Sequence, residues 1–129
     1  MVFNWKEYLN LAQYLQGKPD ASYSEESARR ASVSRAYYAA FCFARNYAHD
    51  KYGRDKRMKS RKSEHTDLRD YYIVLGTVNR KLGDIADNLD ELRQWRNFCD
   101  YDDDVMQNID DLANNALDNA REIINALED

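Results

Sequence analysis

Proline and glycine are almost missing from this chain, with one Pro and four Gly in 129 residues. These are the strongest helix breakers, so little in the sequence interrupts a long helix. Sustained alternation of β-branched residues is also missing, which removes the signal for strands. No apolar run approaches the ~20 residues that a membrane-spanning helix needs. The opening Met1-Val2-Phe3-Asn4-Trp5-Lys6 lacks the basic-then-apolar order of a secretory leader, so a cytoplasmic location is expected. Only two cysteines occur, Cys42 and Cys99, and both fall inside apolar helical patterns, where they read as small buried side chains. A zinc site needs more soft ligands at tighter spacing, and no metal or other cofactor is expected. Charge of one sign does not dominate: 19 basic against 23 acidic residues give a net charge of −4. That balance argues against a chain that coats nucleic acid indiscriminately, and leaves room for a local basic site.

What is present is helical periodicity. Trp5, Tyr8, Leu9, Leu11, Ala12 and Leu15 recur at helical spacing and predict a first helix from Phe3 to Leu15, ended by Gly17-Lys18-Pro19. Ser22-x-x-Glu25 has the form of a capping box and opens a second helix that should run to about Tyr52, with Gly53 as its stop. Small and aromatic residues fall on several sides of this helix, as suits the spine of a domain. Arg54 to Lys62 is the only strongly basic stretch, aperiodic and polar, and reads as a loop. A third helix should start at Glu64 or His65 and pass through Leu75, ending somewhere between Gly76 and Lys81. Leu82, Ile85, Ala86, Leu89, Leu92 and Trp95 define a fourth. Val105, Ile109, Leu112, Ala116, Ala120, Ile123 and Leu127 define a fifth. The expected architecture is all-α: one domain over residues 1–129, an up-and-down bundle of four to five helices.

Two segments carry chemistry. The first is Arg96-Asn97-Phe98-Cys99-Asp100-Tyr101, near the end of an amphipathic run and just before Asp102-Asp103-Asp104. Arg96 and Asp100 are four apart and share one helix face, so a simple Arg–Asp pair closing a helix end is one reading. The second is Ser34-Arg35-Ala36-Tyr37-Tyr38-Ala39-Ala40-Phe41, with an arginine inside an apolar helix. Arg35 is costly there unless paired, and a carboxylate from the last two helices, or a place beside Arg96 in a cleft, is expected.

Together these segments resemble the HEPN superfamily of small helical domains, over most of the chain from Trp5 to the last helix. That family has a Ser-Arg-x-Tyr-Tyr-x-x-Phe-like stretch on a long helix, and on a later helix an Arg, a polar residue and then a His. Here Arg96 and Asn97 fit, and Tyr101 stands where the family has His. The resemblance implies a homodimer in which the Arg segments of two subunits meet at a shared cleft. In nuclease members the His acts there on the RNA 2′-hydroxyl without a metal. It also implies a toxin–antitoxin or defence setting with a separate small nucleotidyltransferase as partner. The departure at Tyr101 bears on activity, because an unperturbed phenol titrates near ~10 and is a poor base at neutral pH.

The site residues expected from these readings are Arg96, Asn97 and Tyr101 for any chemistry, with Arg35, Tyr38, Asp100 and His65 as ligand-binding neighbours. A guanidinium keeps its charge at any cellular pH and grips phosphate through a planar fork. Of the two histidines that could replace the missing one, His49 and His65, the second is the better candidate. It stands beside the basic stretch, where cations would depress its pKa and keep it neutral. The aromatics Tyr37, Tyr38, Phe41, Tyr47 and Tyr52 read as bundle packing ahead of base stacking. The acidic run after Asp100 lacks the order of a calcium loop. Asp103 or Asp104 is expected to cap the fifth helix. The function that follows is a HEPN-like domain binding a nucleotide or RNA phosphate in a dimer cleft. The alternatives are a catalytically silent helical interaction module and a metal-independent endoribonuclease.

Overall fold

Five helix-patterned stretches become five helices, and no β-strand forms among the described residues. In the computed structural model of the chain these residues are 3–16, 22–57 and 62–128. The helices are α1 (Lys6–Leu15), α2 (Glu25–Tyr52), α3 (Glu64–Gly76), α4 (Arg80–Tyr101) and α5 (Ile109–Leu127). They pack into an all-α bundle around one apolar cluster.

The helix boundaries follow from local capping. The spine helix α2 starts at Ser24, whose hydroxyl accepts from the Ser27 N–H, rather than at the expected Ser22. Serine at the first capping position and again three residues on closes the turn by itself, and Glu25 and Glu26 complement the positive end of the helix dipole. At the other end Gly53 adopts a left-handed conformation at φ 75° and returns its N–H to the last turn, which is the stop expected of it. Ser63 caps α3 by accepting from Thr66 N–H, and Asn79 caps α4 by accepting from Lys81 N–H. Two further starts differ from expectation. α1 begins at Lys6 rather than Phe3, because the Asn4 side chain takes the Lys6 N–H. α5 begins at Ile109 rather than Val105, and its cap is Asn108, which accepts from Asp110 and Asp111 N–H, not Asp103 or Asp104. The expected stop Gly17-Lys18-Pro19 and Met58–Arg61 of the basic stretch lie outside the described residues. Within the rest of that stretch Arg54 is buried, its guanidinium lying 5.6 Å from the Tyr71 ring centroid and donating to the Asp55 carbonyl.

The spine packs most extensively on α5 and α1, and α3 packs mainly on α4. Alanines make the close approach possible: Ala36, Ala40, Ala44 and Ala48 on α2 and Ala113, Ala116 and Ala120 on α5 are all buried in the core. Buried polar groups tie the helices where they cross. The Ser32 hydroxyl donates to the Ala12 carbonyl of α1 at 2.6 Å, and the Tyr72 hydroxyl of α3 donates to the Ala44 carbonyl of α2 at 2.7 Å. The tip of the α3–α4 hairpin is a glycine contact, since a Cβ on Gly76 would sit 2.6 Å from the Gly83 Cα. Among the described residues no helix is long and apolar enough to cross a membrane.

Candidate functional site

The last turn of α4 is fixed by an arginine from another helix. Carbonyls at a helix C-terminus lack intrahelical partners and carry the negative end of the dipole. Arg30 of α2 meets that need. Its Nη1 donates to the carbonyls of Cys99 (3.0 Å) and Asp102 (2.6 Å), and its Nη2 donates to Asp103 (3.0 Å). The same guanidinium pairs through Nε with Glu26, one turn earlier on its own helix. This clamp fits the α4 C-terminus and the acidic turn onto α2. Sequence reading missed it, because nothing in the local pattern links residue 30 to carbonyls some seventy positions away.

On that fixed turn Arg96 projects toward the middle of α2. Its Nε donates to Asp100 Oδ2 (2.9 Å), so the i, i+4 pair is real. Its Nη2 donates to the Tyr38 hydroxyl (2.7 Å) and more weakly to the Tyr101 hydroxyl (3.4 Å), and its Nη1 donates to Asn97 Oδ1 (3.2 Å). Three rings surround the guanidinium carbon, Tyr38 at 5.2 Å, Tyr101 at 5.4 Å and Tyr37 at 5.7 Å, within the range of cation–π attraction. Burial opposes the charge, but Tyr38, Tyr101 and Asp100 outweigh it and hold the guanidinium above its ordinary pKa. Asp100 Oδ2 also accepts from Ser34 at 3.2 Å, so the carboxylate bridges α4 to α2.

The structure therefore brings together Arg96, Asn97, Tyr101, Tyr38 and Asp100. Arg35 joins them differently from expectation. Among the described residues no carboxylate reaches ion-pair distance of it; its guanidinium lies instead over the rings of Tyr38 (5.7 Å) and Tyr8 (5.2 Å). Ring faces replace the carboxylate because Tyr8 of α1 lies against α2 here, while Asp100 is already held by Arg96 and Ser34. Arg93, one turn before Arg96, is a second residue the sequence did not flag. Its charge acts on both Tyr37 and His65, and no carboxylate among the described residues pairs with it.

His65 stands apart from Arg96. It is buried, 5% exposed, with Tyr37 and Phe41 rings against it. Nε2 faces Asp90 Oδ1 at 2.9 Å, and Nδ1 faces the Tyr37 hydroxyl at 2.8 Å. The Asp90 carboxylate also accepts from Arg69 at 3.0 Å. A carboxylate only accepts, so Nε2 carries the proton and Nδ1 accepts from the Tyr37 O–H. The His65 pKa is lowered, as expected, but burial is the largest cause, ahead of the cations Arg93 and Arg69, while the Asp90 bond works the other way. Both ring nitrogens are engaged inside the protein. Burial likewise pushes the Tyr37 phenol far up. His49 is exposed and bonds the Arg54 carbonyl beyond Gly53. Both thiols are buried, Cys42 pushed up by that burial and Cys99 pushed up to about 11, so neither is a reactive thiolate. No family model, curated protein or solved structure matches the chain.

Proposed function

We propose that the chain is a HEPN-like module, working as a homodimer, that binds the phosphate of a nucleotide or RNA through Arg96. The observation that carries this reading is the setting of that guanidinium. It is held rigid by Asp100 and three rings, yet two of its nitrogens meet only neutral partners, Tyr38, Tyr101 and Asn97. A phosphate is a stronger, charged acceptor than a phenol or an amide, so it would displace the weaker of these contacts. Asn97 and Tyr101, freed at the rim, would then donate to phosphate oxygens. Arg35 on the other side of Tyr38 adds a second cation without a carboxylate. By the same resemblance the partner would be a separate small nucleotidyltransferase in a toxin–antitoxin or defence setting.

Binding is favoured over turnover. Tyr101 stands at the position of the family's His, and His65 is enclosed and bonded at both nitrogens. A second reading has a specific observation behind it: Asp100 accepts from both Arg96 and Ser34, which is what a scaffold pair tying α4 to α2 would do. In that reading the chain is a catalytically silent interaction module. An assay on purified protein separates these from a ribonuclease. Wild type is expected to bind RNA without cleaving it, and Tyr101→His is expected to gain metal-independent cleavage that a further Arg96→Ala removes. Cleavage by the wild type would contradict the ranking.

A further inference from the structure

A cleft of about 330 Å³ opens between the start of the chain and the second half of α2, remote in sequence from Arg96. Its walls are Phe3, Trp5, Phe43 and Tyr47, with Asn46 and Asp50 among the polar lining. The volume is at the small end of ligand sites, enough for one planar ring system. Phe3 and Trp5 stand 4.8 Å apart at 78°, so two walls meet near a right angle. Asn46 Oδ1 accepts from Arg45 Nε at 3.2 Å, which fixes the orientation of an amide able to donate to the edge of a base.

The cleft does not end blindly. The Arg45 guanidinium lies 5.7 Å from the Trp5 ring, and Trp5 packs edge-on against Tyr8 at 5.1 Å. Arg35 lies 5.2 Å from Tyr8 and 5.7 Å from Tyr38, and Arg96 lies 5.2 Å from Tyr38 and 5.4 Å from Tyr101. Guanidiniums and rings thus succeed one another along one surface, every member half-buried or exposed. Arg35 and Arg45, ten residues apart, are separated by about 15 Å along the helix axis. Among the described residues neither has a carboxylate within ion-pair distance. Arg29, Arg30, Arg69, Arg96 and Arg121 each pair with an Asp or Glu. In a chain with more acids than bases, Arg35 and the Nη groups of Arg45, resting on ring faces, keep N–H donors for an outside anion.

We infer that this surface is a track for single-stranded nucleic acid, a base seated in the Trp5 cleft and phosphates spaced a few nucleotides apart on Arg45, Arg35 and Arg96. The inference rests on the reading of Arg96 as a phosphate ligand. A repeating anion with a flat ring at each step matches repeating cations with rings between them. A duplex does not match, because pairing and stacking hide the faces of its bases.

The test is a titration of wild type, Trp5→Leu and Arg45→Gln with an oligouridylate of about twelve nucleotides, the same length of duplex RNA, and inorganic pyrophosphate. The single strand is expected to bind wild type at least about tenfold more tightly than the duplex and to quench Trp5 fluorescence, the signal assigned by its loss in Trp5→Leu. Arg45→Gln, an exposed-side change that spares the core, should weaken the oligouridylate severalfold and lower the salt slope by about one, while pyrophosphate binding at Arg96 stays unchanged. Equal binding of duplex and single strand, or an Arg45→Gln protein that binds oligouridylate as wild type does, would overturn the track and leave the Arg96 reading standing if pyrophosphate still binds. Loss of pyrophosphate and oligouridylate binding alike in the wild type would remove both.

Discussion

Arg96 and His65 show how the same neighbouring tyrosines serve two different ends. Tyr38 presents its hydroxyl and face to a cation that must stay charged, and Tyr37 gives its hydroxyl to an imidazole that must stay neutral. The second arrangement predicts a pH dependence. The folded pKa of His65 lies below its ordinary 6.5, so below that value the unfolded chain binds a proton that the native state resists. The contribution of His65 to stability is complete above about 6.5 and is lost as pH falls from there toward the folded pKa. Between pH 7 and 5 the wild type should therefore lose more stability than His65→Gln, which keeps a polar group and cannot titrate. Urea unfolding at a series of pH values measures this, and parallel curves for the two proteins would refute it. At this scale the sequence disclosed some contacts and concealed others. The Arg96–Asp100 pair, the burial of Cys42 and Cys99 and the direction of the His65 shift follow from spacing and local pattern. The partners of Arg35, Arg30 and His65 do not, because each is supplied by a different helix, and spacing along one helix says nothing of which neighbour will face it.

The helices themselves were largely legible. Their number, and the long α2 ending at Gly53, come from apolar periodicity and from the scarcity of breakers. The shifted starts of α2 and α5 share one physical cause. Where several Ser, Asp or Asn residues stand in a row, each can cap, and the choice depends on which register lets the helix bury its apolar face. Asn108 prevails over Asp103 and Asp104 because the preceding carbonyls are engaged by Arg30, which holds residues 102 and 103 out of a helix. Arg30→Ala removes a charged donor from three carbonyls and should cost about 1.5–3 kcal/mol, more than an ordinary surface arginine. It should also loosen the Arg96 turn, visible as faster amide hydrogen exchange at residues 99–103 than in wild type. An Arg30→Ala protein as stable as wild type, with that turn unaltered, would show that the clamp is dispensable.

As a whole the molecule is acidic, and Arg35 and Arg45, which no carboxylate among the described residues reaches at ion-pair distance, lie on the surface that runs from Trp5 to Tyr101. Beside that surface Tyr101 is 70% exposed and Met106 94% exposed, apolar groups a two-fold partner could cover. The homodimer proposed for the chain should appear in light scattering at high micromolar concentration, and a monomer there would count against it. Whether Arg96 grips phosphate is read from fluorescence anisotropy of labelled RNA with wild type, Arg96→Ala, Arg96→Lys and Asp100→Ala, each alongside its urea stability. Arg96→Ala is expected to weaken binding by roughly 1–3 kcal/mol at unchanged folded fraction, and Arg96→Lys to rescue poorly because an ammonium cannot form the fork. Equal losses of stability in Arg96→Ala and Asp100→Ala, with RNA binding that follows the folded fraction alone, would contradict phosphate binding there and make Arg96 a scaffold residue.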